Sequence, residues 1–448
     1  MSFELPPAFA DRMRAQLGEE AGAYFAALEA PCLRGLRLNP QKPVSDAALK
    51  AVGGVEGPVP WYSALGRYLQ NDSLAGTDPL HEAGAYYLQE PSAMAPVSLL
   101  APRSGERVLD LCAAPGGKST QIAAALAGEG LLVCNEPVPS RARILSRNIE
   151  RMGVPNALVA SAQPEALAAR WPGAFDAVLV DAPCSGEGMF RRHPETRAEW
   201  TPAAPAGCAE RQRRILACAA TMLRPGGRLV YSTCTLSPEE NEETVRWFLG
   251  EHSDFSAQPF SLSGGDSALG APDGMLRLYP HRIRGEGHFL ACLRRAGDAP
   301  AADLFRPAAE RLLPPAPAMR AAYDAFAGPL RGLPSANAQL GDALLSAPDL
   351  PPLDGVRVLR AGVQLGSMKG KVFAPDHALA MALSAACGLP SLVLDRAGAL
   401  RYQSGEALPA PEDMSGWALA VYEGLVLGFG KASGGQFKNH YPKGLRRP

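Results

Sequence analysis

Between Arg107 and Leu293 the chain alternates short apolar runs with stretches of helical periodicity. No other feature constrains the fold as strongly. Val108-Leu109-Asp110-Leu111, Leu131-Leu132-Val133, Ala157-Leu158-Val159-Ala160, Ala177 to Asp181 and Arg228 to Tyr231 are each closed by small or polar residues. Such runs read as strands buried on both faces. Ser119 to Leu126, Ser140 to Met152 and Arg211 to Leu223 lie between them and read as helices, the last stopped by Arg224-Pro225-Gly226-Gly227. Pro238 to Leu249 reads as a further helix, with Ser237 and Glu240 placed for a capping box. His288 to Leu293 supplies a final strand. This order specifies an α/β domain, a doubly wound parallel sheet with helices on both faces.

The flanks differ in character. Residues 1–95 read as a small α+β region, helical first and then mixed. Within it, Leu33 to Lys42 alternates apolar and basic residues, as an edge strand with one basic face would, either solvated or contacting phosphates. The domain of the alternating pattern spans 96–296. An Ala- and Pro-rich stretch, 297–318, reads as a linker or a surface crossing. Residues 319–448 turn β-rich, with short strands such as Val356 to Leu359 and Leu392 to Leu394 between glycine turns. Phe437 to Arg447 interleaves basic and aromatic residues, a pattern suited to nucleic acid. Arg191, Arg192 and His193 form a basic patch, solvated or contacting phosphates.

Formal net charge is -1, so any basic face is local. The start of the chain lacks a signal-peptide layout, and no apolar run approaches the roughly 20 residues that span a bilayer. A cytoplasmic protein with no membrane association is expected. Nine cysteines, odd in number and scattered, argue against a disulfide framework. Without a Cys-x-x-Cys pair or clustered histidines, no metal site is expected. Cys32, Cys134, Cys208, Cys218, Cys292 and Cys387 read as small buried apolar residues.

Two cysteines stand apart. Asp181-Ala182-Pro183-Cys184-Ser185-Gly186 and Tyr231-Ser232-Thr233-Cys234-Thr235 each follow a strand directly. Loops at the carboxyl ends of parallel strands are where ligands collect. The first such loop, Cys112-Ala113-Ala114-Pro115-Gly116-Gly117-Lys118, is no phosphate loop, because Cys112 stands where that motif needs glycine. The dinucleotide fingerprint fails too, since Gly116 and Gly117 are the loop's only glycines. What remains is a Rossmann-like small-residue loop, followed by Glu136 at the end of the second strand, where a carboxylate accepts from ribose hydroxyls. A nucleoside cofactor without a pyrophosphate fits: S-adenosyl-L-methionine. Paired thiols fit methylation of a base carbon, which becomes nucleophilic once a thiolate adds to the neighbouring ring position. Asp181 is placed to hold the polar edge of a cytosine and to support proton transfer.

These three loops resemble the motifs of the Sun-type RNA 5-methylcytosine methyltransferases. Gly188-Met189-Phe190-Arg191-Arg192 and Lys438-Asn439-His440-Tyr441-Pro442-Lys443 are similar to the bacterial RsmF-like rRNA branch of that family. The resemblance covers nearly the whole chain and is densest from Tyr87 to Leu293. It implies that Cys234 attacks the cytosine and that Cys184 assists release. It also implies cofactor contacts from Cys112 through Lys118, from Glu136 and from Asp181. The family pattern has an aspartate just after the third strand. Here Gln163 aligns with it, and its amide oxygen could accept from an adenine amine. The N-terminal region and a PUA-like tail would handle RNA. The expected activity is methylation of cytosine carbon 5 in 16S ribosomal RNA, on small-subunit RNA or the 30S particle, by a monomer. A tRNA methyltransferase and a non-catalytic RNA-binding assembly factor are the alternatives.

Overall fold

The structure is a computed structural model that describes residues 4–70, 73–263, 268–370 and 372–446. Met1 to Phe3, part of the expected N-terminal layout, and Arg447 of the basic tail lie outside the described residues.

A central sheet organises the molecule. Its strands run Phe255–Ala257, His288–Arg295, Leu223–Thr233, Phe175–Asp181, Arg107–Asp110, Leu131–Asn135, Ala157–Ser161 and Arg357–Ala361 in spatial order. The five from Leu223–Thr233 to Ala157–Ser161 are parallel, and the others join antiparallel. Successive strand residues enter different cores. Leu109, Val178 and Leu229 pack on one face, while Val108, Leu179 and Val230 pack on the other. That is why these runs are apolar without alternation. Chain order reverses between Arg107–Asp110 and Phe175–Asp181, and a crevice opens there at the carboxyl ends.

Before this domain, helices Pro7–Leu17 and Ala21–Glu29 precede a four-stranded antiparallel sheet. The expected edge strand, Arg34–Leu38, is instead an inner strand of that sheet, paired on both sides. Its Arg37 is fully buried rather than solvated or free for phosphate. It donates to Gln89, to the Gly117 carbonyl at 2.6 Å and to Thr120 Oγ1 at 2.7 Å. The N-terminal region is therefore tied to the small-residue loop by a buried cation.

Residues 297–318 cross the surface and bury Phe305 and Ala308 against the central core. The β-rich tail then holds two sheets, one of four strands and one of five, where the sequence suggests a single module. One tail strand, Arg357–Ala361, leaves both and extends the central sheet beside Ala157–Ser161. Arg360 fastens it to Glu150 and Ser146. The terminal segment also departs from expectation. Phe437 and Tyr441 are buried in the tail core, whereas Lys438 and His440 face outward. Its aromatics thus pack into the core rather than offer faces to bases. Lys431 and Lys438, both exposed, sit directly opposite each other on paired strands. Among the described residues no helix is long and apolar enough to cross a membrane.

Candidate active site

Strand pairing brings the two thiols together. Phe175–Asp181 and Leu223–Thr233 are parallel neighbours with Asp181 opposite Ser232. Cys184 lies three residues beyond the first of these and Cys234 two beyond the second. Their sulfurs are 3.3 Å apart. The Gly188 amide donates to the Cys234 carbonyl at 2.9 Å, so the first loop folds back over the second. A hydrogen bond with Cys234, then burial, then the nearby Cys234 and Glu240 charges push the Cys184 thiol well up. Cys184 therefore holds its proton tightly beside the Cys234 sulfur.

Asp181 sits beside the pair. Lys118 Nζ donates to its Oδ2 at 2.7 Å, Ser232 Oγ to its Oδ1 at 2.8 Å, and His288 Nε2 lies 3.7 Å from Oδ1. Burial opposes its charge, but Lys118 and His288 outweigh burial and hold the carboxyl below the usual range. Burial likewise works against the Lys118 charge, and Asp181 outweighs it and raises the amine. Beneath them, burial pushes Asp110 up to about 7 against a 2.6 Å hydrogen bond from Ser119.

Two cavities meet at this centre. One, of about 500 Å³, is lined by Cys112, Ala114, Glu136, Gln163, Asp181, Cys184 and Cys234 among others. The second, about 310 Å³, takes Ala113, Pro115, Gly117 and Lys118, and shares Cys112, Ala114 and Asp181. Both volumes are in the range of small-molecule sites. Gly116 lines neither. Its φ of +114° turns the loop into the helix, and a Cβ there would lie 3.2 Å from Leu145.

The larger cavity fits a nucleoside cofactor. Glu136 is aimed by the Val138 amide at 2.9 Å and by Arg141 at 3.3 Å, on a side chain only 3% exposed. Gln163 lines the same cavity from its exposed rim, and its side chain makes no cap bond to the helix it precedes. A carboxylate and a side-chain amide lining one cavity match ribose hydroxyls and an adenine edge.

The structure adds groups that the sequence leaves unmarked. The Ser237–Glu240 capping box does not form. Ser237 Oγ donates to Glu239 at 2.6 Å, and the helix begins only at Glu242. Glu240 turns inward instead and accepts from Ser185 and Gln212. Its burial is legible only once Gln212, on the long helix Ala204–Met222, is placed beside it. The basic patch separates as well. Arg191 is neither solvated nor free for phosphate, because its Nε–H is shared between both oxygens of buried Glu286, whereas His193 is exposed. Of the six cysteines expected to be buried, Cys134, Cys218 and Cys387 are; Cys32, in the loop before Arg34–Leu38, Cys208, on Ala204–Met222, and Cys292, on His288–Arg295, are half-buried.

A doubly wound parallel sheet, a small-residue loop before its first helix and a strand-end carboxylate define an S-adenosylmethionine-dependent methyltransferase. Comparison with known proteins carries this further. Residues 97–294 match the profile of 16S rRNA methyltransferase RsmB/F, and 5–91 that of the N-terminal domain of 16S rRNA methyltransferase RsmF. Residues 330–383 match the RsmF first C-terminal domain and 390–447 the RsmF PUA domain, in line with the two sheets of the tail. The chain is 32% identical to ribosomal RNA small subunit methyltransferase F of Cronobacter sakazakii, over 99% of this chain and 96% of that protein. It is 33% identical to the protein of the same name from Serratia proteamaculans, over 99% and 97%. A solved methyltransferase homolog from Pyrococcus horikoshii is 33% identical, with a TM-score of 0.55 over 65% of this chain and 96% of that one. The chain belongs to the ribosomal RNA small subunit methyltransferase F family.

Proposed function

We propose that the chain methylates carbon 5 of a cytosine in 16S ribosomal RNA through a covalent adduct on Cys234. The observation that carries this is the 3.3 Å approach of two thiols at the mouth of a nucleoside-sized cavity. The relatives bear the name of small-subunit rRNA methyltransferases, which supports the substrate.

Cytosine carbon 5 is a poor nucleophile. Addition of the Cys234 sulfur to carbon 6 forms a C–S bond and moves the ring electrons onto carbon 5, which then behaves as an enamine. When bound, S-adenosylmethionine supplies an electrophilic methyl group for that carbon. Glu136 and Gln163 would hold its ribose and adenine, and the Cys112–Lys118 loop would line its path. Asp181, fixed by Lys118 and Ser232, holds the polar edge of the cytosine.

Release needs the carbon 5 proton removed and the C–S bond broken, with the electrons returning to sulfur. Adduct formation takes away the Cys234 charge, one of the causes that keep Cys184 protonated. Cys184 then gives its proton to solvent more readily, and its thiolate takes up the carbon 5 proton as the C–S pair returns to Cys234. Every residue in this sequence comes from one chain, so a monomer suffices. The flanking regions, 1–95 and 319–448, handle the RNA. Exposed Lys369, Lys431 and Lys438 cluster near exposed His440 and act electrostatically upon it. Like charges opposed across strands destabilise a lone protein and suit an anionic partner.

Bisulfite sequencing of 16S rRNA tests the assignment. A strain lacking the gene should lose one or more 5-methylcytosines, restored by the wild-type chain and not by Cys234→Ala. Unchanged methylation on deletion would contradict it.

A further inference from the structure

Two consecutive residues, Glu240 and Asn241, each grip one catalytic loop. Glu240 is fully buried. Its Oε2 accepts from the Ser185 amide at 3.0 Å and from Gln212 Nε2 at 2.8 Å, and its Oε1 accepts from Ser185 Oγ. Gln212 Nε2 also donates to the Pro183 carbonyl at 3.0 Å. Glu240 thus holds Ser185 directly and Pro183 through Gln212, the two residues that flank Cys184. Asn241, equally buried, accepts from Thr233 Oγ1 at 2.6 Å and donates to the Thr235 carbonyl at 3.1 Å. It holds both residues that flank Cys234. A 2.7 Å contact between the Ser185 and Thr235 hydroxyls joins the two grips. Tyr231 OH fixes the Glu240 carbonyl at 2.6 Å, so the clip is anchored to the fifth strand itself.

Neither side chain serves its own helix. Asn241 occupies the N-cap position of Glu242–Glu251, where asparagine is favoured for its side-chain acceptor, yet its side chain makes no cap bond. A capping residue spent on the neighbouring loop points to a requirement stronger than helix stability.

We infer that Glu240 and Asn241 are positioning residues that act as a two-sided clip, Glu240 setting Cys184 for release and Asn241 setting Cys234 for attack. The inference rests on the covalent mechanism above. It assigns opposite kinetic signatures to adjacent residues of similar burial, which a general structural role does not. The clip works mainly by geometry, since the Glu240 charge is the smallest of the causes that raise the Cys184 thiol. In Glu240→Gln the amide oxygen can take the Ser185 N–H and the Gln212 amide. The amide NH2 can donate to the Ser185 hydroxyl, which turns to donate to Thr235.

The test uses the full-length chain, small-subunit rRNA and S-adenosylmethionine. It reads turnover and the SDS-stable protein–RNA adduct, with Cys184→Ala as the reference for a stalled release. Glu240→Ala should lower turnover about 10- to 100-fold and accumulate adduct as Cys184→Ala does. Asn241→Ala should lower turnover by a similar factor without adduct. Glu240→Gln should restore turnover to within about threefold of wild type, since it keeps the geometry. Ser185→Ala, a smaller change on the loop, should give a partial rise in adduct and serves if Glu240→Ala does not fold. Adduct in Cys184→Ala but none in Glu240→Ala or Ser185→Ala would overturn the clip alone. So would a Glu240→Gln as inactive as Glu240→Ala. Absence of adduct in Cys184→Ala would overturn the covalent reading, and the clip with it.

Discussion

Lys118 Nζ stands 2.7 Å from Asp181 Oδ2, bridging the loop after the first strand to the end of the fourth. This pair fixes the acid beside the thiols. In Lys118→Ala only His288 and the Ser232 hydroxyl are left to oppose burial at Asp181, and its carboxyl rises. A depressed carboxyl contributes stability above the unfolded value, about 3.9, and loses it as pH falls through the folded value. Wild-type Asp181 therefore stays ionised at all working pH, and the variant loses activity at a higher pH. We expect kcat/KM about 100-fold lower, with the acid limb of the pH–rate profile moved upward. A profile of unchanged shape would contradict this role.

Asp110 shows the reverse sign. Burial raises it to about 7, so its folded form binds a proton that the unfolded chain has released. Its contribution is complete below about pH 4 and is lost as pH rises toward 7, on the order of a few kcal/mol. Asp110→Asn should flatten the pH dependence of stability across that window. Urea unfolding at pH 5 and pH 8 checks this, because the wild type should lose more stability than the variant between them.

How much of this is legible without coordinates depends on whether partners are local. The five parallel strands and the loops after them follow from short apolar runs, because such strands need no register from distant sequence. Cys184 and Cys234 are identifiable for the same reason, as each ends its own strand. Glu240 misleads because Ser-x-x-Glu ahead of an apolar run is a local capping pattern. Its real partners, Ser185 and Gln212, lie 55 and 28 residues away. Arg37 misleads likewise, since alternation with leucines describes a two-faced strand but not which face meets another domain. The Arg357–Ala361 strand could not be assigned to the central sheet from its composition. Nothing in its own residues says which edge it closes.

That strand makes the tail part of the catalytic fold. Truncation after residue 318 removes it and leaves the Ala157–Ser161 edge open, beside Gln163. An unprotected edge is a template for association. The truncated chain should form oligomers in size-exclusion chromatography and melt several degrees lower; a monomer of unchanged Tm would contradict the coupling.

Arg37→Ala should be costly although no substrate touches it. The Gln89 amide oxygen and the Gly117 carbonyl would lose a buried donor, at about 2–4 kcal/mol. Thermal unfolding measures it, and a change below about 0.5 kcal/mol would show that the buried network is dispensable.

Lys431→Glu with Lys438→Glu replaces a repelling cationic pair by an anionic one, so stability should change little. Affinity for rRNA should fall, and the slope of log K against log salt should lessen by about 2. Unaltered salt dependence would place the RNA elsewhere.

The central claim is a division of labour between two sulfurs 3.3 Å apart. It is tested most directly by incubating Cys184→Ala and Cys234→Ala with rRNA and S-adenosylmethionine, then resolving the products by denaturing gel. Cys184→Ala should show an RNA-shifted band that mass spectrometry maps to Cys234. Cys234→Ala should show neither adduct nor methyl transfer. Full transfer by Cys234→Ala, or an adduct on Cys184 in that variant, would contradict the account.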